Sequence, residues 1–323
     1  MFKKRILSAL SLGISLAITS TAYAAYPERP VTLVVPYPPG GTTDLLARLV
    51  SMKLTKSLGQ TFIIENKPGA GGQIGTQAVA KAKPDGYTLV MGNINSHGIN
   101  AALYKELPYR PVEDFAPIII VAETPNVMVA NKNAPFKSFD EFIAYAKQNP
   151  GVVSFGSTSI GGSPHMSGEL LKAKAGIDMV HVPYQGGGPM LNDVLGGQIQ
   201  VGFDNLPSSA GHIESGSLRA LAVTTTQRWP TFKDVPTMAE SGVADYEVSA
   251  WFGILAPAGT PDDVVQKLNR SIASAMTEED MIKRLEGLGA RAVKNTPEQF
   301  SDHIRAEVRK WTEVVKTNKL PMR

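Results

Sequence analysis

The chain has 323 residues, 43% of them hydrophobic and 19% charged, with 32 Lys and Arg against 29 Asp and Glu and no cysteine. Lack of cysteine excludes disulfides and thiolate metal sites, so stability has to come from apolar cores. The small basic excess is carried by Lys3, Lys4 and Arg5 at the start, and the rest of the chain is balanced at 29 of each sign, which excludes the broad positive footprint of a nucleic-acid binder.

Those three basic residues are followed by an apolar run from Ile6 to Ile18 and by Ala22-Tyr23-Ala24, the small-x-small pattern that signal peptidase cuts after. Residues 1–24 therefore read as a cleavable secretory signal with cleavage after Ala24, and the mature protein is expected to be soluble and exported. No later run approaches the ~20 apolar residues a membrane span requires. About 300 mature residues are enough for two cores.

From Tyr26 onward, strands and helices alternate. Val31 to Val35 reads as a buried strand, and Leu46, Val50, Leu54 and Leu58 give the following helix an apolar stripe at spacing four. Between them lies Pro36-Tyr37-Pro38-Pro39-Gly40-Gly41-Thr42-Thr43-Asp44, with Thr42, Thr43 and Asp44 as candidate caps. Glycines that let backbone N–H groups converge, opening into a helix N-terminus, outline an anion socket. A triphosphate loop would continue into Gly-Lys-Ser/Thr, and none is present here, so a carboxylate fits better.

Thr61 to Glu65 is a second strand, followed by the glycine-rich loop Lys67 to Gly75. Its glycines fall as G-x-G-x-x-x-G, and no acid closes the next strand, Tyr87 to Gly92, so the dinucleotide fingerprint is not met. Lys83-Pro84-Asp85-Gly86 is a turn by its chemistry. Asn93 to His97 is a polar segment at a strand's carboxyl end, where open α/β sheets bind ligands, and Asn93 and Ser96 are candidates to orient one. His97 has no acidic or imidazole partner at helical spacing, which argues against metal ligation.

Ala116 to Asn131 reads as a long strand interrupted at Pro125, crossing from one domain into a second. Ser138 to Glu141 opens a helix with a capping box. Val152 to Ser157 then enters a second socket, Ser157-Thr158-Ser159-Ile160-Gly161-Gly162-Ser163-Pro164-His165, with Ser163 as the expected N-cap and Pro164 at the first helical position. Strand Met179 to Val182, the loop Pro183 to Gly188, a helix to Leu195 and strand Ile199 to Asp204 follow, and Leu218 to Thr225 reads as the return crossing. Asp204 is either a turn residue or a cleft residue that receives a ligand's donor or a bridging water. Trp251, in Val248 to Leu255, is either core or a cover over the ligand. Thr260 and Thr296 open two further helices with a proline in the first turn.

Four stretches now carry a resemblance: Val34 to Asp44, Glu65 to Gly72, Lys83 to Leu89 and Val182 to Gly187. Together they resemble the Bug family, the periplasmic solute-binding proteins of tripartite tricarboxylate transporters, over nearly the whole mature chain. The resemblance implies a type II periplasmic binding protein fold, two α/β domains joined by two crossing segments around a ligand cleft. The domains would be residues 25–123 with 227–323, and an inserted 124–226. It also implies that both sockets grip a small organic carboxylate, through Tyr37, Pro39, Gly40, Gly41, Thr42 and Asp44 on one side and Ser157, Thr158, Ser159, Gly161, Gly162, Ser163 and His165 on the other. The second socket departs from the family pattern: Ser159 stands where glycine is usual, and Gly162 stands where a hydroxyl is usual, with Ser163 one position later.

The implied function is a monomeric receptor without cofactor or metal that hands its carboxylate to membrane transporter subunits. A sensor that presents it to a membrane kinase would use the same closed form. A secreted hydrolase is disfavoured because Gly161-Gly162-Ser163-Pro164-His165 is not Gly-x-Ser-x-Gly, and Pro164 removes the N–H that such an elbow uses as an oxyanion donor. The scarcity of charge among the candidates favours a mono- or dicarboxylate over citrate.

Overall fold

The computed structural model describes residues 26–320 and 322, so the signal segment lies outside the described residues. The first elements follow the expected alternation: β1 (Val31–Val35), α1 (Thr42–Leu58), β2 (Phe62–Asn66), α2 (Gln73–Ala80), β3 (Thr88–Asn93) and the short α3 (Asn100–Leu103). β1 pairs in parallel with β2 and β3, and Leu46, Val50 and Leu54 of the α1 stripe are buried against this sheet.

β4 (Phe115–Asn131) then runs for 17 residues without a break. Next come α4 (Phe139–Gln148), β5 (Ser154–Ser157), α5 (Ser163–Ala175), β6 (Val180–Pro183), α6 (Gly187–Leu195), β7 (Val201–Asn205), α7 (Leu206–Glu214) and β8 (Leu218–Val223). The chain ends with β9 (Ser249–Pro257), α8 (Asp262–Met276), α9 (Glu279–Gly287), β10 (Arg291–Ala292) and α10 (Pro297–Thr317). Strand order is β2-β1-β3-β9-β4-β7-β5-β6, with β8 and β10 also on β4.

β4 belongs to both ends of this arrangement. Its first part, through Pro125, pairs antiparallel with β9, and from Asn126 it pairs with β7 and β8 instead. Pro125 was expected to interrupt the strand. It falls at the exchange of partners, and the strand stays continuous because residues on both sides of it, Ile118 to Ala122 and Val127 to Ala130, are buried in adjoining cores. Leu218 to Thr225 was expected as the return crossing, but Leu218 to Val223 is β8, a strand of the second part that pairs with β4. The return follows it, where Val248 N–H donates to Thr224 O at 2.9 Å.

Helix starts were partly legible. Thr296 accepts from Gln299 N–H while the Gln299 side chain accepts from Thr296 N–H, a complete capping box ahead of α10. Ser138 caps α4, its hydroxyl accepting from Glu141 N–H at 3.2 Å. Thr260 does not cap α8. Its hydroxyl turns back to Pro257 O, and Pro261 takes the cap position.

β9 is packed tightly on both sides. A side chain at Gly253 would begin 2.4 Å from the Phe300 ring of α10 and 2.9 Å from Ile119 O of β4. Gly253→Ala is therefore expected to lower stability by about 1–3 kcal/mol in urea unfolding, and an unchanged midpoint would show that Phe300 moves aside at no cost.

Candidate functional site

A cavity of about 100 Å³ lies between the two parts of the sheet, at the carboxyl ends of the strands. Its first wall comes from the turn after β1 and the start of α1: Tyr37, Pro38, Pro39, Gly41, Thr42 and Thr43. Gly41 is the N-cap of α1 with no side-chain cap, so the N–H groups of the first turn have no intrahelical acceptor. The expected caps do other work. Asp44 is buried, accepts from Gly40 N–H at 3.0 Å, from Arg48 at 2.8 and 3.0 Å and from Asn66 at 3.0 Å, and thereby braces the loop from behind. These bonds, led by Arg48, outweigh burial and hold its carboxyl below the usual range. Gly40 and Asp44, predicted as ligand contacts, are thus not part of the cavity lining.

The end of β3 supplies Asn93 and Asn95. Asn93 Oδ1 accepts from the N–H groups of Asn95 and Ser96 at 3.0 and 3.2 Å and from Tyr37 Oη at 2.9 Å. That side chain folds the expected polar segment into a π-helical turn, Asn95–Ile99. Ser96 turns inward to Asn93 and to His97 Nδ1 at 2.9 Å and does not line the cavity. His97 itself is fully buried against Phe115 and Tyr109, and burial pushes its pKa down to about 3.

The second wall differs more from expectation. Thr158 and Ser159 line the cavity, but Ser157, Gly161, Gly162, Ser163 and His165 do not. Three backbone donors of this loop are already taken: Gly161 N–H donates to His165 Nδ1 at 3.0 Å, Gly162 N–H to Ser159 O at 3.3 Å and Ser163 N–H to Asn95 Oδ1 at 2.7 Å. Gly162, not Ser163, is the N-cap of α5, and the Ser163 hydroxyl donates to Asn126 Oδ1. Ser157 Oγ donates to Ser159 O and lies 2.7 Å from His181 Nε2, while the His165 and His181 rings stack at 4.0 Å. These residues shape the loop that presents Thr158 and Ser159.

The space expected for the second socket is filled instead from α6 and α7. Gln185 and Gly186 to Pro189, at the start of α6, line the cavity together with Asp204, Asn205 and Ser208 around the start of α7. The glycine run Gly186-Gly187-Gly188 was a readable signal of close backbone approach, whereas Ser208 lies inside a helix that the sequence did not announce. Trp251 is far from this role: it is buried in β9 with Phe300 and His303 edge-on to its ring at 5.4 and 5.3 Å. Its place in the sheet interior settles it as a core residue.

Three helix N-termini, those of α1, α6 and α7, thus meet one cavity whose lining has no Lys, Arg or His. Their dipole ends, with the N–H groups of the first turn of α1, favour an anion there. The two walls also touch: Thr42 Oγ1 donates to Ser208 Oγ at 3.4 Å, and Ser208 Oγ donates to Asp204 Oδ2 at 2.6 Å. Asp204 is 1% exposed, and burial raises its pKa to about 7 against the opposing bonds from Ser208 and from Asn205 N–H.

A carboxyl whose pKa is raised on folding withdraws stability as the pH rises, because the unfolded chain ionises first. Relative to Asp204→Asn, the wild type is expected to lose stability progressively between about pH 4 and about pH 7, by on the order of 4 kcal/mol in total, and to stay level above that range. Paired urea titrations across this range check it; a difference that is independent of pH would show that Asp204 folds ionised.

The family model described as the tripartite tricarboxylate transporter family receptor matches residues 46–320. The fold is similar to that of the periplasmic binding protein BugD, at 37% identity and a TM-score of 0.88, covering 92% of this chain and 100% of that one. It is also similar to Rpa4515 of R. palustris with adipate, at 39% identity and TM-score 0.90 over 92% and 100% of the two chains, and to MatC of Rhodopseudomonas palustris with bound malate, at 35% and 0.85 over 90% and 100%. The α/β arrangement, with a cleft between two parts of the sheet crossed by β4, is the periplasmic binding protein fold of these relatives. The chain belongs to the tripartite tricarboxylate transporter receptor family, of the TctC and Bug type.

Proposed function

We propose that the protein is a periplasmic receptor that closes on a small organic acid, holds its carboxylate at the N-terminus of α1, and delivers it to the membrane subunits of a tripartite transporter. The observation that carries this reading is the convergence of three helix N-termini on a cavity lacking a cation. Neutral donors recognise a carboxylate without a buried salt bridge, so that binding favours closure while release stays accessible. The N–H groups of the first turn of α1, the hydroxyls of Thr42 and Thr43, and Thr158 and Ser159 from the facing loop are the proposed contacts. Tyr37, Pro39 and Asn93 shape the same end.

The two bodies that close are residues 25–123 with 227–323, and residues 124–226, in a monomer whose signal is cleaved after Ala24. Relatives with adipate and malate support an acid of this size for this chain. The role is binding rather than catalysis: Ser163, the serine a hydrolase would need, points its hydroxyl at Asn126 outside the cavity.

Thermal melts of the mature protein against a panel of mono-, di- and tricarboxylates test the reading. An acid at about 100 times its dissociation constant adds about 2.7 kcal/mol, a shift of several degrees for a chain of this size. Thr42→Ala and Ser159→Ala are each expected to weaken binding by about 0.5–1.5 kcal/mol. If no carboxylate shifts the melt, or if both variants bind as the wild type does, the receptor reading fails.

A further inference from the structure

The second loop holds a glycine at a place where the backbone does not call for one. Gly162 is the N-cap of α5, with φ −75° and ψ 162°, the extended conformation that any residue adopts, and no side chain caps the helix there. Serine, threonine, asparagine or aspartate is the usual choice at such a position. The obstacle is space. A Cβ added to Gly162 would overlap Ser159 Oγ and stand 3.0 Å from Asn95 Nδ2. The Ser159 hydroxyl thus lies in the volume that a side chain at 162 would claim.

Both neighbours of that volume belong to the cavity. Ser159 comes from the β5–α5 loop, and its carbonyl is engaged by Ser157 Oγ and Gly162 N–H, so its hydroxyl is the side-chain group left to offer. Asn95 comes from the opposite wall, beyond the end of β3. Its Oδ1 accepts from Ser163 N–H, which leaves Nδ2 beside the same volume. A hydroxyl and an amide donor, one from each wall, therefore flank a single point. The two departures from the family loop, a serine at 159 and a glycine at 162, meet there.

We propose that Ser159 and Gly162 are a reciprocal pair: the hydroxyl that the family loop carries at position 162 is delivered in this chain from position 159, and Gly162 is the positioning residue that leaves room for it. This rests on the carboxylate-receptor reading above and adds to it why the neighbour of the donor is a glycine. Either substitution alone takes a donor from the acid. Ser159→Gly removes the hydroxyl, and Gly162→Ser forces two hydroxyls into one volume, so that a side chain has to leave it. Made together, the two substitutions put one hydroxyl back in one place.

Calorimetric titration of malate, adipate and the other acids of the melt panel into wild type, Ser159→Gly, Gly162→Ser and the double variant tests this. Each single variant is expected to bind about three- to tenfold more weakly than wild type. The double variant is expected to return to within about twofold of wild type, whereas independent effects would multiply to about tenfold or more. A second cycle, with Ser159→Ala and Gly162→Ala, separates space from donor: Gly162→Ala should weaken binding in the wild type and cost nothing further once Ser159 is alanine. If Gly162→Ser does not fold, this second cycle decides. Melts of the unliganded forms read out a purely structural role. Single variants that lower the unliganded melt but leave the affinity unchanged would make Ser159 a brace for α5 alone and overturn the proposal. A double variant that binds no better than the weaker single overturns it as well, with the receptor reading intact, and failure of every acid to bind wild type overturns both.

Discussion

The geometry of the cleft depends on one residue's position in a strand. Asn126 stands where β4 leaves β9 and takes up β7 and β8, and its side chain is bonded in several directions. Its amide nitrogen donates to Ser167 Oγ in α5, and its oxygen accepts from Ser163 Oγ at the start of α5 and from Asn205 Nδ2 at the end of β7. Its backbone exchanges bonds with Thr224 on the returning chain. A buried amide with all of these partners is costly to rearrange, because each broken bond would leave a desolvated group unpaired. The crossing strand, the second loop and the floor of the cavity at Asn205 are therefore held in one register.

From that register the distribution of roles follows. Short polar side chains near the crossing fix the loops, and the loops present main-chain donors and hydroxyls to the cavity. Lys53 in α1 plays a similar part at the opposite end of its helix, held between Glu278 and Asp280 at 2.6 and 2.7 Å, so that the helix whose N-terminus meets the cavity is anchored by its far side to α9. The cavity lining is thus neutral apart from Asp204, while Asp44 and Lys53 of α1 are held in ion pairs outside it.

The alternation of strands and helices, the α1 stripe, the glycine turn that opens into α1 and the capping of α4 and α10 were all legible in the sequence, because each depends on residues close together in the chain. Eight of the candidate contacts, among them Tyr37, Thr42, Asn93, Ser159 and Asp204, line the cavity. What could not be read depends on partners distant in the chain. Nothing local says that the Ser163 N–H is taken by Asn95, 68 residues earlier, or that His165 is turned back on its own loop, so the donors of the second socket looked free when they are not. Ser208 and Asn205 come into play because β7 lies next to β4, which is a fact of topology. Trp251 could be weighed as core or cover, and its neighbours Phe300 and His303 lie about fifty residues further on.

The bond from Ser163 N–H to Asn95 Oδ1 spans the cleft and puts an amide oxygen of the protein at the start of α5, where the dipole of that helix would otherwise seek a solute. The molecule in this way carries its own neutral plug for one of its helix ends. In the closing motion proposed above, part of the attraction between the two walls is internal to the chain and owes nothing to a cargo. A bound acid would add an increment to that baseline, and the discrimination between full and empty forms would be limited to the increment.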